Sequence, residues 1–263
     1  MVESYRRGSR RPKSALLGNH QKCWIGGRNV VVEALRSGRW LPVEVVISES
    51  LDDAVRTEIC DLTRAAAIPI TVAPHERLTE LNHSREHQGC LAKMPPFPYV
   101  SLDEVLNAAR QPPLVVLLDS LQDPFNFGAI CRVACVFGAD AVVVGRQRQV
   151  DVTQQVARSS AGAVNRIPIA QTDDLVAAIE SLKARGLLVL AATLSGRQSI
   201  CDFDFAQPVA LVIGNEGQGV RPELIAACSA EVTIPQASNF DSLNAAVAAG
   251  VMLYEAHRQR LRF

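Results

Sequence analysis

The sequence predicts an α/β protein: a parallel sheet covered on both faces by helices, preceded by a smaller α/β unit. Three observations carry this. Apolar runs of strand length, such as "PLVVLLDS" (residues 113–120), are continuous rather than alternating, as in strands buried on both faces. These runs alternate with segments of helical length, the pattern of a parallel sheet with crossover helices. Between the halves, "AKMPPFPYVSLDE" gathers Pro95, Pro96 and Pro98, which neither a helix interior nor a central strand accommodates. The expected organisation is a basic arm over residues 1–22, a small domain over 23–91, a stiff extended linker over 92–101 and a larger domain over 102–263.

The arm holds six cationic side chains (Arg6, Arg7, Arg10, Arg11, Lys13 and Lys22) against Glu3 alone, among prolines, glycines and serines. That composition predicts disorder, with phosphate contact as the functional reading and a solubilising leader as the plain one. In the small domain, "RNVVVEALRSG" reads as a helix stopped by Gly38. "VEVVIS" reads as a strand, "LDDAVRTEICDLTRAAA" as an amphipathic helix with acids in its first turn, and "IPITVA" as a second strand. A short helix "PHERLTELN" and a strand "GCLAKM" complete it. His83 and His87, in "NHSREHQG", read as an exposed polar turn.

The larger domain begins with the 113–120 strand and the mostly apolar helix "DPFNFGAICRVACVFGAD". There follow the strand "ADAVVVG", the helical "DVTQQVARSS", "NRIPIA", the helix "DDLVAAIESLKARG" and the strand "LLVLAATL". "PVALVIGNEGQG" is a strand with a glycine loop, a short helix starts at Arg221 or Pro222, "AEVTIP" is a strand, and a long helix runs from about Ser242.

Composition removes several function classes. The formal net charge is zero, so no global field draws a polyanion. No apolar run is long enough for a membrane span, and the arm lacks the apolar core of a secretory signal. Seven cysteines without a CxxC pair or a Cys/His cluster argue against a disulfide framework and against a zinc site, which leaves the cytoplasm as the expected location.

Three loops at strand ends carry the chemistry, since ligands of such sheets bind beyond the carboxyl ends of the strands. In the first, Pro124 stiffens the turn, Asn126 reads as a helix N-cap, Gly128 permits close backbone approach, and Arg132 is the one full charge on the apolar helix. In the second, Gly214, Gly217 and Gly219 surround Glu216; the spacing fits neither GxGxxG nor a Walker A loop, so a wrapped small ligand or a tight turn both explain it. In the third, Ser242 and Asn244 open a helix of small residues, which suits a buried core helix as well as a dimer interface.

Together these segments resemble the three motifs of the SpoU/TrmH-type RNA 2′-O-methyltransferases of the SPOUT superfamily. The first is matched by Asn126, Gly128 and Arg132, the second by Gly214, Glu216, Gly217 and Gly219, the third by Ile234, Pro235, Ser242, Leu243 and Asn244. More weakly, "IGGRNVVVEALRSG" and "HQGCLA" resemble the small L30-like RNA-binding domain of the bacterial 23S rRNA guanosine 2′-O-methyltransferase subgroup. "QAS" within "IPQASNFDSLN", and "LNAAVA", depart from the usual pattern without touching its polar residues.

The resemblance implies a trefoil-knotted parallel-sheet domain that binds S-adenosylmethionine, acts as a homodimer on RNA and needs no metal. It places Thr193, Gly214, Gly217, Ile234 and Leu243 at the methyl donor. It gives catalytic roles to Arg132, Asn126, Glu216, Ser242 and Asn244: Arg132 steadies the developing alkoxide or clamps the adjacent phosphate, Asn126 orients Arg132 or the ribose, and Glu216 fixes backbone donors or pairs with Arg132. Ser242 and Asn244 would hold donor or nucleotide. The implied substrate is a guanosine of 23S rRNA. A tRNA enzyme, and a non-catalytic RNA-binding protein with a degenerate methyltransferase fold, are the alternatives.

Overall fold

A computed structural model of the protein describes residues 16–17, 23–237 and 242–261. Most of the predicted basic arm, and residues 238–241 of the third loop, lie outside the described residues. At the arm's end, Leu16 and Leu17 pack beside Cys23, Trp24 and Leu91, and the Leu17 N–H donates to the Met94 carbonyl at 3.0 Å.

The first unit runs β1 (Trp24–Gly26), α1 (Arg28–Ser37), β2 (Glu44–Ser48), α2 (Asp53–Ala65), β3 (Ile70–Ala73), α3 (His75–Asn82) and β4 (Cys90–Lys93). Its sheet has the order β1-β4-β2-β3, with β4 antiparallel to both neighbours and β2 parallel to β3. Gly38, at φ 68°, ends α1 in the left-handed conformation that glycine adopts without strain. Asp52 caps α2 by accepting the N–H groups of Ala54 and Val55. The unanticipated strand is β1, whose three residues are too short to show a period.

The proline-rich segment is extended, but it is packed. Met94 and Phe97 are buried, and the Phe97 ring lies edge-on to Trp40 and Tyr99, with centroids 5.0 Å from each. The Trp40 indole N–H donates to the Pro95 carbonyl at 2.9 Å. Val100 makes a parallel bridge to Ala170, so the segment's end already joins the second sheet.

That sheet carries α4 (Leu102–Ala108), β5 (Leu114–Leu118), α5 (Pro124–Val136), β6 (Ala141–Gly145), α6 (Gln154–Ser159), a 3-10 turn (Ala163–Asn165), β7 (Ile169–Thr172), α7 (Leu175–Ala184) and β8 (Leu188–Ala192). It continues with β9 (Gln198–Ser199), β10 (Val209–Ile213), α8 (Pro222–Ala227), β11 (Ala230–Thr233) and α9 (Ala245–Arg260). The strand order is β7-β6-β5-β10-β8-β11-β9, and every pairing is parallel. Strands β5, β6 and β10 are buried along their whole length, as their continuous apolar runs require. Because β10, β8 and β11 are neighbours, their following loops share one edge of the sheet.

Two helix starts differ from expectation. Helix α5 is capped by Asp123, whose carboxylate accepts the Phe125 N–H, with Pro124 in the first turn. A proline preset for helical φ, behind an aspartate cap, starts the helix ahead of Asn126, which therefore lies inside the first turn. Helix α9 begins at Ala245, with Asn244 as its cap.

The two units are fastened together. Gln154 Nε2 donates to Asn82 Oδ1 at 2.5 Å, Arg158 pairs with Glu86, and Arg166 grips Glu33 through two hydrogen bonds. Gly162, at φ 86°, lets the chain before the 3-10 turn approach α1; a Cβ there would sit 2.7 Å from Glu33 Cβ. His87 is buried, contrary to the exposed turn expected. Its Nδ1 accepts the Gly89 N–H at 3.1 Å, its Nε2 lies 3.1 Å from the Thr79 hydroxyl, and its ring lies against His75. The turn folds inward because imidazole can satisfy both ring nitrogens within it. His83 remains exposed.

Candidate functional site

A cavity of about 440 Å³ opens where the loops after β8, β10 and β11 meet the start of α9. Its size suits a small-molecule ligand, for which about 300–1,000 Å³ is usual. Thr193, Gly214, Gly217, Ile234 and Leu243, the five residues expected at the methyl donor, all line it, as do Glu216 and Ser242. Thr193 is held by its hydroxyl, which donates to Glu231 at 2.9 Å.

The glycine loop is a tight turn and a cavity wall at once. Asn215 and Gly219 exchange backbone hydrogen bonds of 3.0 and 2.8 Å, closing the loop on itself. A Cβ on Gly214 would lie 2.1 Å from the Gly219 carbonyl carbon, so only glycine fits. Asn215 Oδ1 accepts the Gly217 N–H, and its Nδ2 donates to the Ser120 carbonyl at 2.9 Å. One side chain thus ties the loop both to itself and to the end of β5.

The three motifs are joined by a hydrogen-bonded chain. Asn244 Nδ2 donates to Asn126 Oδ1 at 3.0 Å, and Asn126 Nδ2 donates to Glu216 Oε1 at 2.6 Å. Asn244 Oδ1 meanwhile accepts the Ala246 and Val247 N–H groups, capping α9. The anion is Glu216, held by an amide at the cavity's edge.

Sequence reasoning missed the anchor beneath this network. Asp119, fully buried at the end of β5, accepts the Arg221 backbone N–H at 2.9 Å and its Nε at 2.7 Å, and also the Ser120 hydroxyl. The signal was present: an acid ending an apolar strand must find a partner, and Arg221 is the cation just after the glycine loop.

Two residues of the first motif serve elsewhere. Gly128 faces α6 rather than the cavity: a Cβ there would fall 1.9 Å from Ser159 Oγ and 2.7 Å from the Val156 carbonyl oxygen. It is required for helix–helix contact. Arg132 does not line the cavity, is exposed, and has no ion pair or hydrogen bond among the described residues, so the expected pairing with Glu216 is absent from this chain. The cause is helical geometry: at about 100° per residue, six positions place Arg132 about 120° around the helix from Asn126. It shares an outer stripe with Phe125, Ala129 and Val136; Phe125 and Val136 are 61% and 65% exposed. On the adjoining α9, Val247, Val251 and Tyr254 form a second exposed apolar stripe. Ala249, Met252, Leu253 and Ala256 face the core, so this helix is both core element and open face.

Among the described residues no group of three or more His, Cys, Asp or Glu is placed to hold a metal, and no helix is long and apolar enough to cross a membrane.

Comparison with known proteins agrees with this architecture. Residues 113–254 match the SpoU rRNA Methylase family, and residues 24–100 match the RNA 2′-O ribose methyltransferase substrate binding domain. A Bacillus subtilis protein named as a TrmH family tRNA/rRNA methyltransferase is 34% identical over 92% of this chain and 98% of its own length. The SpoU methyltransferase AviRb of Streptomyces viridochromogenes, in complex with AdoMet, superposes with a TM-score of 0.78 at 28% identity, covering 94% of this chain and 96% of that one. An AdoMet-bound rRNA methyltransferase of Sinorhizobium meliloti gives 0.77 at 28% identity, covering 92% and 88%. With its SpoU half and substrate-binding half both matched, the chain belongs to the SpoU/TrmH family of RNA methyltransferases.

Proposed function

We propose that this enzyme transfers a methyl group from S-adenosylmethionine to a ribose 2′-hydroxyl of RNA, and that its substrate is a guanosine of 23S rRNA. The observation that carries the reading is the cavity at the ends of β8, β10 and β11, with the Asn244–Asn126–Glu216 chain at its edge. The residues present fit the methyl donor: the Gly214 cradle admits no side chain, and the cavity lining combines apolar Ile234 and Leu243 with polar Thr193 and Ser242. When bound, the donor supplies an electrophilic methyl group; the chain supplies position and charge.

Glu216 and Asn126 orient the reacting ribose. Asn244 sets Asn126 and caps α9, and Ser242 contacts donor or nucleotide. Arg132 supplies the cation that stabilises the developing alkoxide or clamps the neighbouring phosphate, since guanidinium stays protonated. Its place on the exposed stripe supports a homodimer packed through α5 and α9, with each Arg132 serving the partner's cavity. Burying Phe125, Val136, Val247, Val251 and Tyr254 supplies the apolar core that such an interface needs. The small domain, residues 23–91, selects the RNA. The basic arm adds phosphate contacts, and the enzyme works in the cytoplasm.

Ribose-methylation mapping of rRNA and tRNA from a strain lacking the gene tests the substrate. Loss of one 23S rRNA ribose methyl supports the proposal; loss of a tRNA ribose methyl with intact rRNA overturns the rRNA assignment.

A further inference from the structure

A second concavity, of about 470 Å³, lies between α1 of the small unit and the α5 side of the sheet domain. Four arginines line it, Arg28, Arg36, Arg132 and Arg166, against two acids, Glu33 and Glu58. Each acid is engaged: Glu33 holds Arg166, and Glu58 holds Arg36 with Arg28 farther off at 3.9 Å. The cleft thus carries a surplus of two positive charges. Arg28, Arg36 and Arg166 keep about half of their side-chain surface in solvent, so their heads are held in place yet reachable. The walls are fixed relative to each other by the Gly162–Glu33 approach and the two Arg166–Glu33 hydrogen bonds. Among the described residues no aromatic side chain lines the cleft.

We propose that this cleft takes the sugar–phosphate backbone of the substrate RNA and guides it across the junction of the two units toward Arg132. This rests on the RNA methyltransferase reading above. Guanidinium groups match phosphate oxygens in planar pairs. With cations and no aromatic platform, the cleft suits phosphates better than bases, and contacts to the backbone position rather than specify. Glu58 and Glu33 preorder the arginines and temper their charge, so phosphate binding at Arg36 competes with Glu58.

The experiment measures binding of a labelled 23S rRNA transcript to the full-length protein across a salt series, with tRNA in parallel and S-adenosylmethionine binding by calorimetry as the control. For the double variant Arg28→Ala/Arg36→Ala, the expected result is an RNA affinity about tenfold lower or weaker still at moderate salt, and a log–log salt slope smaller by roughly two. Donor affinity and the circular dichroism spectrum stay as in wild type. Glu58→Gln, which frees Arg36 without removing a cation, should tighten RNA binding and steepen the slope. Unchanged RNA affinity in both variants, with wild type binding and methylating RNA, overturns the cleft assignment alone. A loss that is the same at every salt concentration also overturns it. Wild type that neither binds nor methylates either RNA removes the functional reading itself.

Discussion

Asp119 and Arg221 lock the end of β5 to the start of α8, through hydrogen bonds of 2.9 Å to the backbone N–H and 2.7 Å to Nε. The glycine loop runs from the end of β10 to Arg221, so this pair ties that end of the cavity wall to β5. Asp119 has no exposed surface, whereas the Arg221 side chain is 29% exposed. Removing the acid leaves the half-buried Arg221 with Glu223 alone, at 3.0 Å, and orphans the Arg221 N–H. We predict that Asp119→Ala lowers folding stability by about 3 kcal/mol, as for breaking one partner of a buried pair, and weakens S-adenosylmethionine binding. Denaturant unfolding and calorimetry check both; unchanged donor affinity would show that the loop holds its shape without the lock.

Gly128 makes a contrasting case, since its neighbours belong to α6. Gly128→Ala should cost about 1–3 kcal/mol, the usual range for overpacking, with donor affinity nearly normal in whatever protein folds. Adding Ser159→Ala should recover only part, because the Val156 carbonyl and the Ser160 N–H also crowd the site, at 2.7 and 2.8 Å. Full recovery would place the conflict in the hydroxyl alone. Thermal unfolding of the single and double variants decides.

His87 gives a pH signature. Burial, and then the neighbouring His75, push its imidazole below the ordinary histidine range. The folded state keeps it neutral while the unfolded chain takes up a proton below about pH 6.5. Stability should therefore be full above that pH and decline as pH falls toward the folded-state value, by at most about 1.4 kcal/mol per pH unit from this group. The measurement is unfolding free energy from pH 7.5 to 5. In His87→Gln that acid limb should flatten; an unchanged limb would assign it to other groups.

Much of this was legible because local chemistry decided it. Continuous apolar runs announced the buried strands, Gly38 ended its helix, and the loop motifs named seven residues that line the cavity. What was not legible depends on partners distant in sequence. His87 is buried because Thr79 and Gly89 complete its hydrogen bonds, and Gly128 is a glycine because α6 passes over it. Asn126 as a cap was a plausible local reading that Asp123 with Pro124 overrode. Arg132 shows the limit most plainly: spacing put it within reach of the site along the helix, and the helical rotation turned it to another face.

That rotation gives a subunit-mixing prediction. In the proposed homodimer, Arg132→Ala and Glu216→Ala should each lose about 100- to 1000-fold in methyl transfer, the cost of a preorganised charge interaction. Both should retain their fold. If Arg132 serves the partner's cavity, each mixed dimer contains one intact site of two, and its activity returns to at most about half of wild type, far above either single variant. No recovery on mixing, in dimers verified by mass spectrometry, would place Arg132 and Glu216 in the same chain's site.

Ribose 2′-O-methylation is read directly by nucleoside analysis. Purified protein is incubated with methyl-labelled S-adenosylmethionine and 23S rRNA or tRNA transcripts, the RNA is digested to nucleosides, and the labelled product is identified by mass. The expected product is a 2′-O-methylated nucleoside, lost when Glu216 is replaced by alanine. Label recovered on a base, or none in RNA while the donor still binds, would contradict it.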